Sequence, residues 1–318
     1  MSRLTIPPNF IGTPSSDMIQ ATTTAFNDIG IQVNLNGLID TREGNDTVSG
    51  TATGDSSYGI NDDGQITLGS GDDSITGTGS FTGLQVSGQG NLDGGSGNDI
   101  ITGIANSIGF THNAYGLEFD GYLTGGSGDD LIRGEARGVV FGNVSTGLAG
   151  TGSLDGGNGN DSITGIGINE NGYGIGIQNY VDTFGNRGNG SVSGGNGSDI
   201  ITGYGTSVGI QGGIIDGGNG NDYFKARRID SEGKELSNQG GAIADVLITG
   251  GKGDDTFDVG YGNATLDGGQ SFDTLILLGS SDNYSISGSN GELTIVRDGY
   301  TLNVLNIENI VYQSSSCP

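Results

Sequence analysis

The apolar residues of this chain come in short alternating runs, and the runs come in threes. One follows an aspartate as x-Ile-x-Gly, as in Asp73-Ser74-Ile75-Thr76-Gly77. A second reads x-Gly-[Ile/Leu], at Tyr58-Gly59-Ile60, Thr82-Gly83-Leu84, Tyr115-Gly116-Leu117, Thr146-Gly147-Leu148 and Val208-Gly209-Ile210, with Tyr173 filling the same place in the unit between. The third is one apolar residue two before a glycine pair: Leu92, Leu123, Leu154, Val192, Ile215, Ile248 and Leu266. Period-two alternation puts the apolar side chains on one strand face. Each unit therefore predicts three short β-strands, and the units are 23 to 38 residues long between Asp46 and Asp255. That length suits a three-sided, right-handed parallel β-helix of about nine coils. The step from Asp255 to Asp273 is only 18 residues.

The units divide the chain. Residues 1–11 read as a terminal cap or loose end, and 12–273 as the solenoid, with 28–34 (DIGIQVN) an early strand. Residues 274–312 alternate with turns at Ser289-Asn290-Gly291 and Asp298-Gly299, which predicts an antiparallel meander covering bare strand edges. Residues 313–318 are a tail expected to be disordered.

Between the third run of one unit and the first of the next lies a repeated kernel, G-G-x-G-x-D-x-U-x with U apolar. It reads LDGGSGNDIITG at 92–103, LTGGSGDDLIRG at 123–134, LDGGNGNDSITG at 154–165, VSGGNGSDIITG at 192–203, IDGGNGNDYFKA at 215–226 and ITGGKGDDTFDV at 248–259. Weaker copies stand at 39–50, 66–77 and 266–277, and a worn one at 12–19. The glycines are expected to permit a tight turn with positive φ and to bare carbonyl oxygens, with a short aspartate carboxylate beside them. Calcium takes six to eight such oxygens. Gly–Asx turns without metal are the plain alternative, but asparagine would then serve as well at the sixth place, and every copy has aspartate.

This kernel resembles the calcium-binding nonapeptide of the RTX (hemolysin-type) family, over nearly the whole chain. The resemblance implies several Ca2+ ions, each between two stacked corners, and, because the family's simple two-sided roll has coils as short as the step from Asp255 to Asp273, a narrowing of the stack to such a roll there. The implied carboxylates are Asp46, Asp73, Asp99, Asp130, Asp161, Asp199, Asp222, Asp255 and Asp273. The implied carbonyl donors are Gly94, Gly95, Gly97, Gly125, Gly126, Gly128, Gly156, Gly157, Gly159, Gly194, Gly195, Gly197, Gly217, Gly218, Gly220, Gly250, Gly251 and Gly253. Corner 41–46 has Thr41 and Arg42 for the glycine pair, and corner 268–273 has Ser271 and Phe272, so these two depart from the pattern. The family leaves bacteria by type I secretion without a cleaved leader. The resemblance thus implies an exported or cell-surface protein, with the 306–310 segment (NIENI) like the ends of such repeats.

Composition fits. Of 318 residues 67 are glycine, and the formal charge is −26, with 29 of the 37 acids aspartate. Aspartate suits turns and hard cations better than helical surfaces. Such acidity argues against nucleic acid, no apolar run approaches a membrane span, and the lone Cys317 excludes a disulfide framework and a Cys-based zinc site. The residue before the glycine pair alternates Asp40, Thr67, Asp93, Thr124, Asp155, Ser193, Asp216, Thr249, Asp267, and the one before the motif aspartate alternates in the opposite sense. Either like charges are being spaced apart or a coil pair was duplicated; both readings stand. Residues 225–242, with Lys225, Arg227, Arg228 and Lys234, read as a surface loop of counter-charge, or else as a docking patch.

No catalytic constellation is visible: His112 has no zinc-type spacing and no serine triad is apparent. The chain reads as a non-enzymatic, calcium-loaded structural, surface or matrix protein. Its partners would be calcium and, beyond it, copies of itself or cell-surface glycans. A glycan-binding adhesin is the second reading. A lyase using Arg133, Arg137 or the 225–228 cluster, an ice-binding threonine row (Thr76, Thr102, Thr164, Thr202, interrupted by Arg133 and Lys225) and a sugar-stacking column of Tyr58, Tyr115 and Tyr173 rank below it.

Overall fold

The computed structural model describes residues 3–107, 112–139, 141–179, 190–236, 240–289 and 291–313. They form three parallel ladders of stacked short strands, so the expected all-β solenoid is what the chain builds. One ladder follows the corners. It runs in eleven rungs from Met18–Thr23 through Ser74–Gly79, Ile100–Asn106, Leu131–Gly138, Ser162–Asn169 and Ile200–Gly205 to Thr274–Leu278 and Asn309–Gln313. A mid-unit ladder contains Ile29–Val33, Tyr58–Asp62, Thr82–Val86, Ala114–Phe119, Val144–Gly150, Tyr173–Asn179 and Val208–Gln211. A pre-corner ladder contains Leu38–Asp40, Gln65–Thr67, Asn91–Asp93, Tyr122–Ser127, Ser153–Asn158, Ser191–Asn196 and Ile214–Asn219.

The three predicted apolar runs become three columns of side chains meeting in one core. Val48, Ile75, Ile101, Ile132, Ile163 and Ile201 stack on the corner-following side, Ile31, Ile60, Leu84, Leu117, Leu148 and Ile177 on the mid-unit side, and Ile39, Ile66, Leu92, Leu123 and Leu154 on the pre-corner side. All are buried in a single cluster. The glycines within the first two runs have a packing cause: the corner-following and mid-unit sides converge until no side chain fits between them. A Cβ on Gly134 would lie 2.1 Å from the Gly147 carbonyl oxygen.

The narrowing near the C-terminus is visible. Ile243–Lys252 pairs with both the mid-unit strand Val208–Gln211 and the pre-corner strand Ile214–Asn219, so two sides fuse into one, and Asn263–Gln270 stacks on it. Phe224 and Phe257 stack at 5.0 Å in the core beneath.

Four boundaries differ from expectation. Within 1–11, Leu4–Ile6 and Phe10–Ile11 are already rungs, pairing in parallel with Ile31–Val33 and Ile39–Asp40, because Leu4 and Ile6 continue the apolar alternation. The C-terminal segment is antiparallel only in part. Ser285–Ser289, Glu292–Arg297 and Tyr300–Leu305 form the meander, but Tyr300–Leu305 also continues the pre-corner ladder, and Asn309–Gln313 the corner-following one. Gln313 therefore belongs to a strand; the rest of the tail and Asn290 lie outside the described residues. Third, Tyr173 pairs with Val144, not Thr146, so Ile175 takes the place next to Tyr58, Thr82, Tyr115 and Thr146, and the tyrosine column is broken. A glycine-separated Tyr-Gly-Ile-Gly-Ile run reads equally well in two registers two residues apart, and only stacking selects one. Fourth, Lys225, Arg227 and Arg228 lie on a strand, Tyr223–Arg228, rather than a loop. Arg227 is buried against Asp258, while Lys225 Nζ lies 2.5 Å from Glu235 Oε1, so these two cations are paired with neighbouring acids.

One core position is anomalous. Asp62 stands in register between Val33 and Val86 and is fully buried. Its Oδ1 accepts the Gly64 N–H at 2.9 Å, whereas Oδ2 has no partner. Burial pushes its carboxyl up to about 7. The folded chain therefore holds a proton there that the unfolded chain releases, and the cost of the charge is complete above pH 7 and relieved as pH falls toward 4. Asp62→Asn keeps the acceptor and removes the charge. Urea unfolding should show the variant more stable by about 1 kcal/mol or more near pH 8 and level with the parent near pH 5; equal stability at both pH values would mean that water reaches the carboxylate.

Candidate metal centre

The corners stack as regularly as the strands. At the sixth place, the N–H of each motif aspartate donates to Oδ1 of the aspartate one coil on. The chain runs from Asp17 through Asp46, Asp73, Asp99, Asp130, Asp161, Asp199, Asp222 and Asp255 to Asp273, with bonds of 2.6–2.8 Å. It ends where Asp273 N–H donates to Glu308 Oε2 at 2.9 Å. Hence the worn copy at 12–17 is a true corner, and Glu308 in 306–310 closes the column. Asp17 and Glu308 were not singled out by their sequence; the apolar residues after them, Ile19 and Ile310, were the available signal.

The other carboxylate oxygen is the unusual one. From Asp46 to Asp273 all nine motif aspartates are buried, and each has an Oδ2 with no hydrogen-bond partner. Burial pushes Asp99, Asp161 and Asp222 up to about 7 and Asp73, Asp130, Asp199 and Asp255 up to about 6. Asp273 is raised too, again chiefly by burial. Neighbouring carboxylates add to several of these shifts. Strand spacing sets the stacked acids at about 4.8 Å, so each is a close like-charge neighbour of the next.

The first glycine of each corner makes room for this oxygen. A Cβ on Gly125 would lie 2.4 Å from Asp130 Oδ2 and 2.5 Å from the Gly156 carbonyl oxygen. The same two partners, the corner's own Oδ2 and the carbonyl oxygen of the next coil's first residue, lie within 2.1–2.8 Å of that point at Gly12, Gly94, Gly156, Gly194, Gly217, Gly250 and Gly268. Expectation is corrected here: only the second and third glycines, such as Gly126 and Gly128, have positive φ, and the first is glycine for lack of space. Corner 268–273 keeps this arrangement despite Ser271 and Phe272, with the Asn306 carbonyl as its outer oxygen. The carbonyls of Gly95 and Ser127, by contrast, already accept N–H groups from neighbouring coils.

The fifth place supplies a control within the same molecule. There, side-chain oxygens of Asn45, Asp72, Asn98, Asp129, Asn160, Ser198, Asn221 and Asp254 accept the neighbouring coil's N–H at 2.7–3.3 Å, on the exposed side. Asparagine, aspartate and serine all perform that task. At the sixth place the same task falls to aspartate in every corner from 46 to 273, with Glu308 performing it once beyond them.

The alternating column before the glycine pairs stacks in register, and at its C-terminal end a hydroxyl meets an acid: Thr249 Oγ1 donates to Asp216 Oδ1 at 2.7 Å, and beyond the column Asn306 Nδ2 donates to Asp267 Oδ1 at 2.7 Å. Adjacent acids in this column would repel; an acid beside a hydroxyl or amide does not.

Among the described residues no three His, Cys, Asp or Glu side chains converge to hold a metal ion. A cation in the corners would be held by single carboxylate oxygens among backbone carbonyls, an all-oxygen set that suits a hard ion. Elsewhere, His112 Nε2 lies 2.9 Å from Asp55 Oδ1 and its ring packs edge-on against Phe81 at 5.4 Å. No described helix is long and apolar enough to cross a membrane. The fold and its corners define a parallel β-solenoid with an internal aspartate column. No protein-family model and no curated protein sequence matches this chain.

Proposed function

We propose that this protein is a calcium-binding solenoid in which the ions neutralise the corner aspartates and fasten coil to coil, giving a rigid body with a structural, cell-surface or matrix role outside the cell. The observation that carries this reading is the contrast between the two corner positions. Accepting the preceding coil's N–H needs only an oxygen, yet from corner 46 to corner 273 the buried position uses aspartate alone and leaves its Oδ2 without a partner. A buried, unpaired carboxylate is costly, and nine in a column more so, unless a cation stands beside them. Asp99, Asp130, Asp161, Asp199, Asp222 and Asp255 would hold the ions with the carbonyls of the first glycines; what calcium supplies there is positive charge. The likeness to hemolysin-type repeats supports the choice of calcium, and export through type I secretion goes with it. Millimolar calcium outside cells would drive the ordering, and low cytosolic calcium would withhold it. The role is architectural rather than catalytic.

Calcium titration of EDTA-treated protein under far-ultraviolet circular dichroism tests this. The β signal should strengthen, and the thermal midpoint rise, at about 10⁻⁴–10⁻³ M Ca2+, as at other extracellular sites. A spectrum that ignores both EDTA and calcium would leave the corners as metal-free turns.

A further inference from the structure

The corners are not all alike. Two of them, 41–46 and 68–73, carry a side chain where the others have their first glycine. Thr41 is fully buried, and its hydroxyl donates to the carbonyl oxygen of Leu68, the counterpart of the oxygen that faces the open point in the other corners. Leu68 is itself fully buried and belongs to the apolar core. Asp46 and Asp73 have the same unpartnered Oδ2 as the rest, so the carboxylate does not distinguish these corners; the filled space beside it does.

The coils around these two corners are tied by other means. Ser80 Oγ donates to the Gly54 carbonyl at 2.7 Å and accepts the Ser57 N–H at 3.1 Å, joining two successive coils. Tyr58, Phe81 and Tyr115 interlock edge-to-face at 5.3 and 5.6 Å across three successive coils. Gln32 Nε2 donates to Asp63 at 3.0 Å, and Asn61 Nδ2 to Gln32 Oε1 at 3.2 Å. Side-chain hydrogen bonds and aromatic contacts thus link coils where the corner space is closed.

We propose that the cation column is interrupted: corners 94–99 to 268–273 take calcium, whereas corners 41–46 and 68–73 do not, so that the coils of residues 29–86 fold on protein contacts alone and template the calcium-dependent remainder. This rests on the calcium reading above. Parallel stacking is slow to start because long loops must close before contacts form. A metal-independent block at one end gives the next coil a finished edge to add to, after which each calcium site fixes one further coil.

Hydrogen exchange followed by mass spectrometry on the full chain, in excess calcium and in EDTA, reads this directly. Peptides within 29–86 should exchange at nearly the same rate in both, while those from 100 to 258 should exchange at least about 100-fold faster in EDTA. Equal loss of protection in both regions, with calcium seen bound in native mass spectra, would overturn the interruption and leave the calcium reading intact. No bound calcium and no change anywhere would overturn both. As a second readout, Thr41→Gly should raise the number of calcium ions counted by native mass spectrometry by about one, since it opens the closed space; an unchanged count in a folded variant would overturn the proposal.

Discussion

Asp161→Asn should reverse its rank with the parent protein when calcium is added. Asp161 Oδ1 accepts the Asp130 N–H at 2.8 Å, and an asparagine oxygen does this equally well. The second oxygen has no partner, and burial raises the acid to about 7. An amide group in its place carries no charge, in a space that Asp161 Oδ2 and the Gly194 carbonyl oxygen both border, 2.5 and 2.4 Å from where a Cβ on Gly156 would lie. In EDTA near neutral pH the variant should therefore be as stable as the parent or more so. In calcium at 100 to 1,000 times the dissociation constant, the parent gains about 2.7–4 kcal/mol per site, and the variant forgoes that gain at one site. Urea midpoints in the two buffers measure it. If the two proteins keep the same order in both, aspartate at this place has some purpose other than holding a cation.

The pH dependence of the metal-free protein is the second large effect. Free aspartate titrates near 4, but burial lifts the column to about 6 at Asp73, Asp130, Asp199 and Asp255 and about 7 at Asp99, Asp161 and Asp222. Between those values the folded chain binds more protons than the unfolded one, so stability falls as pH rises through this window, and the whole cost is present above about 7. In EDTA, thermal unfolding should move to higher temperature as the buffer goes from pH 8 to 5. In saturating calcium the trend should flatten or invert, because acid then displaces a stabilising ion. A metal-free protein that is most stable at pH 8 would show that the column is hydrated and its charges screened. Asp62, outside the corners, contributes in the same direction, and its asparagine variant separates that share.

Much of this could be read from the chain. The aspartate period gave the coil, and three apolar runs per period gave three sides, because a strand with alternating faces can bury only one of them. The short step to Asp273 announced the narrowing at Ile243–Lys252. The kernel located nine of the corner carboxylates. Its weak ends obscured Asp17 and Glu308: corner 12–17 keeps only the first glycine, Gly12, the segment before Glu308 has none, and the spacing to Ile19 and Ile310 was the remaining signal.

What the sequence by itself determined is the repeat: which residues face inward, where the chain turns, and that one position in every turn must be an acid. These are local and periodic properties, and identical short-range rules act in every coil. What only the tertiary structure decided are the relations between coils. It chose the register that sets Ile175 rather than Tyr173 beside Thr146. It showed that the first glycine is excluded from having a side chain by an oxygen of the next coil, that the Thr249 hydroxyl pairs with Asp216 across coils, and that Thr41 and Leu68 fill the space other corners leave open. Each of these depends on residues 18 to 39 positions apart meeting at one strand spacing, a distance fixed by backbone hydrogen bonds and not by the order of residues along the chain.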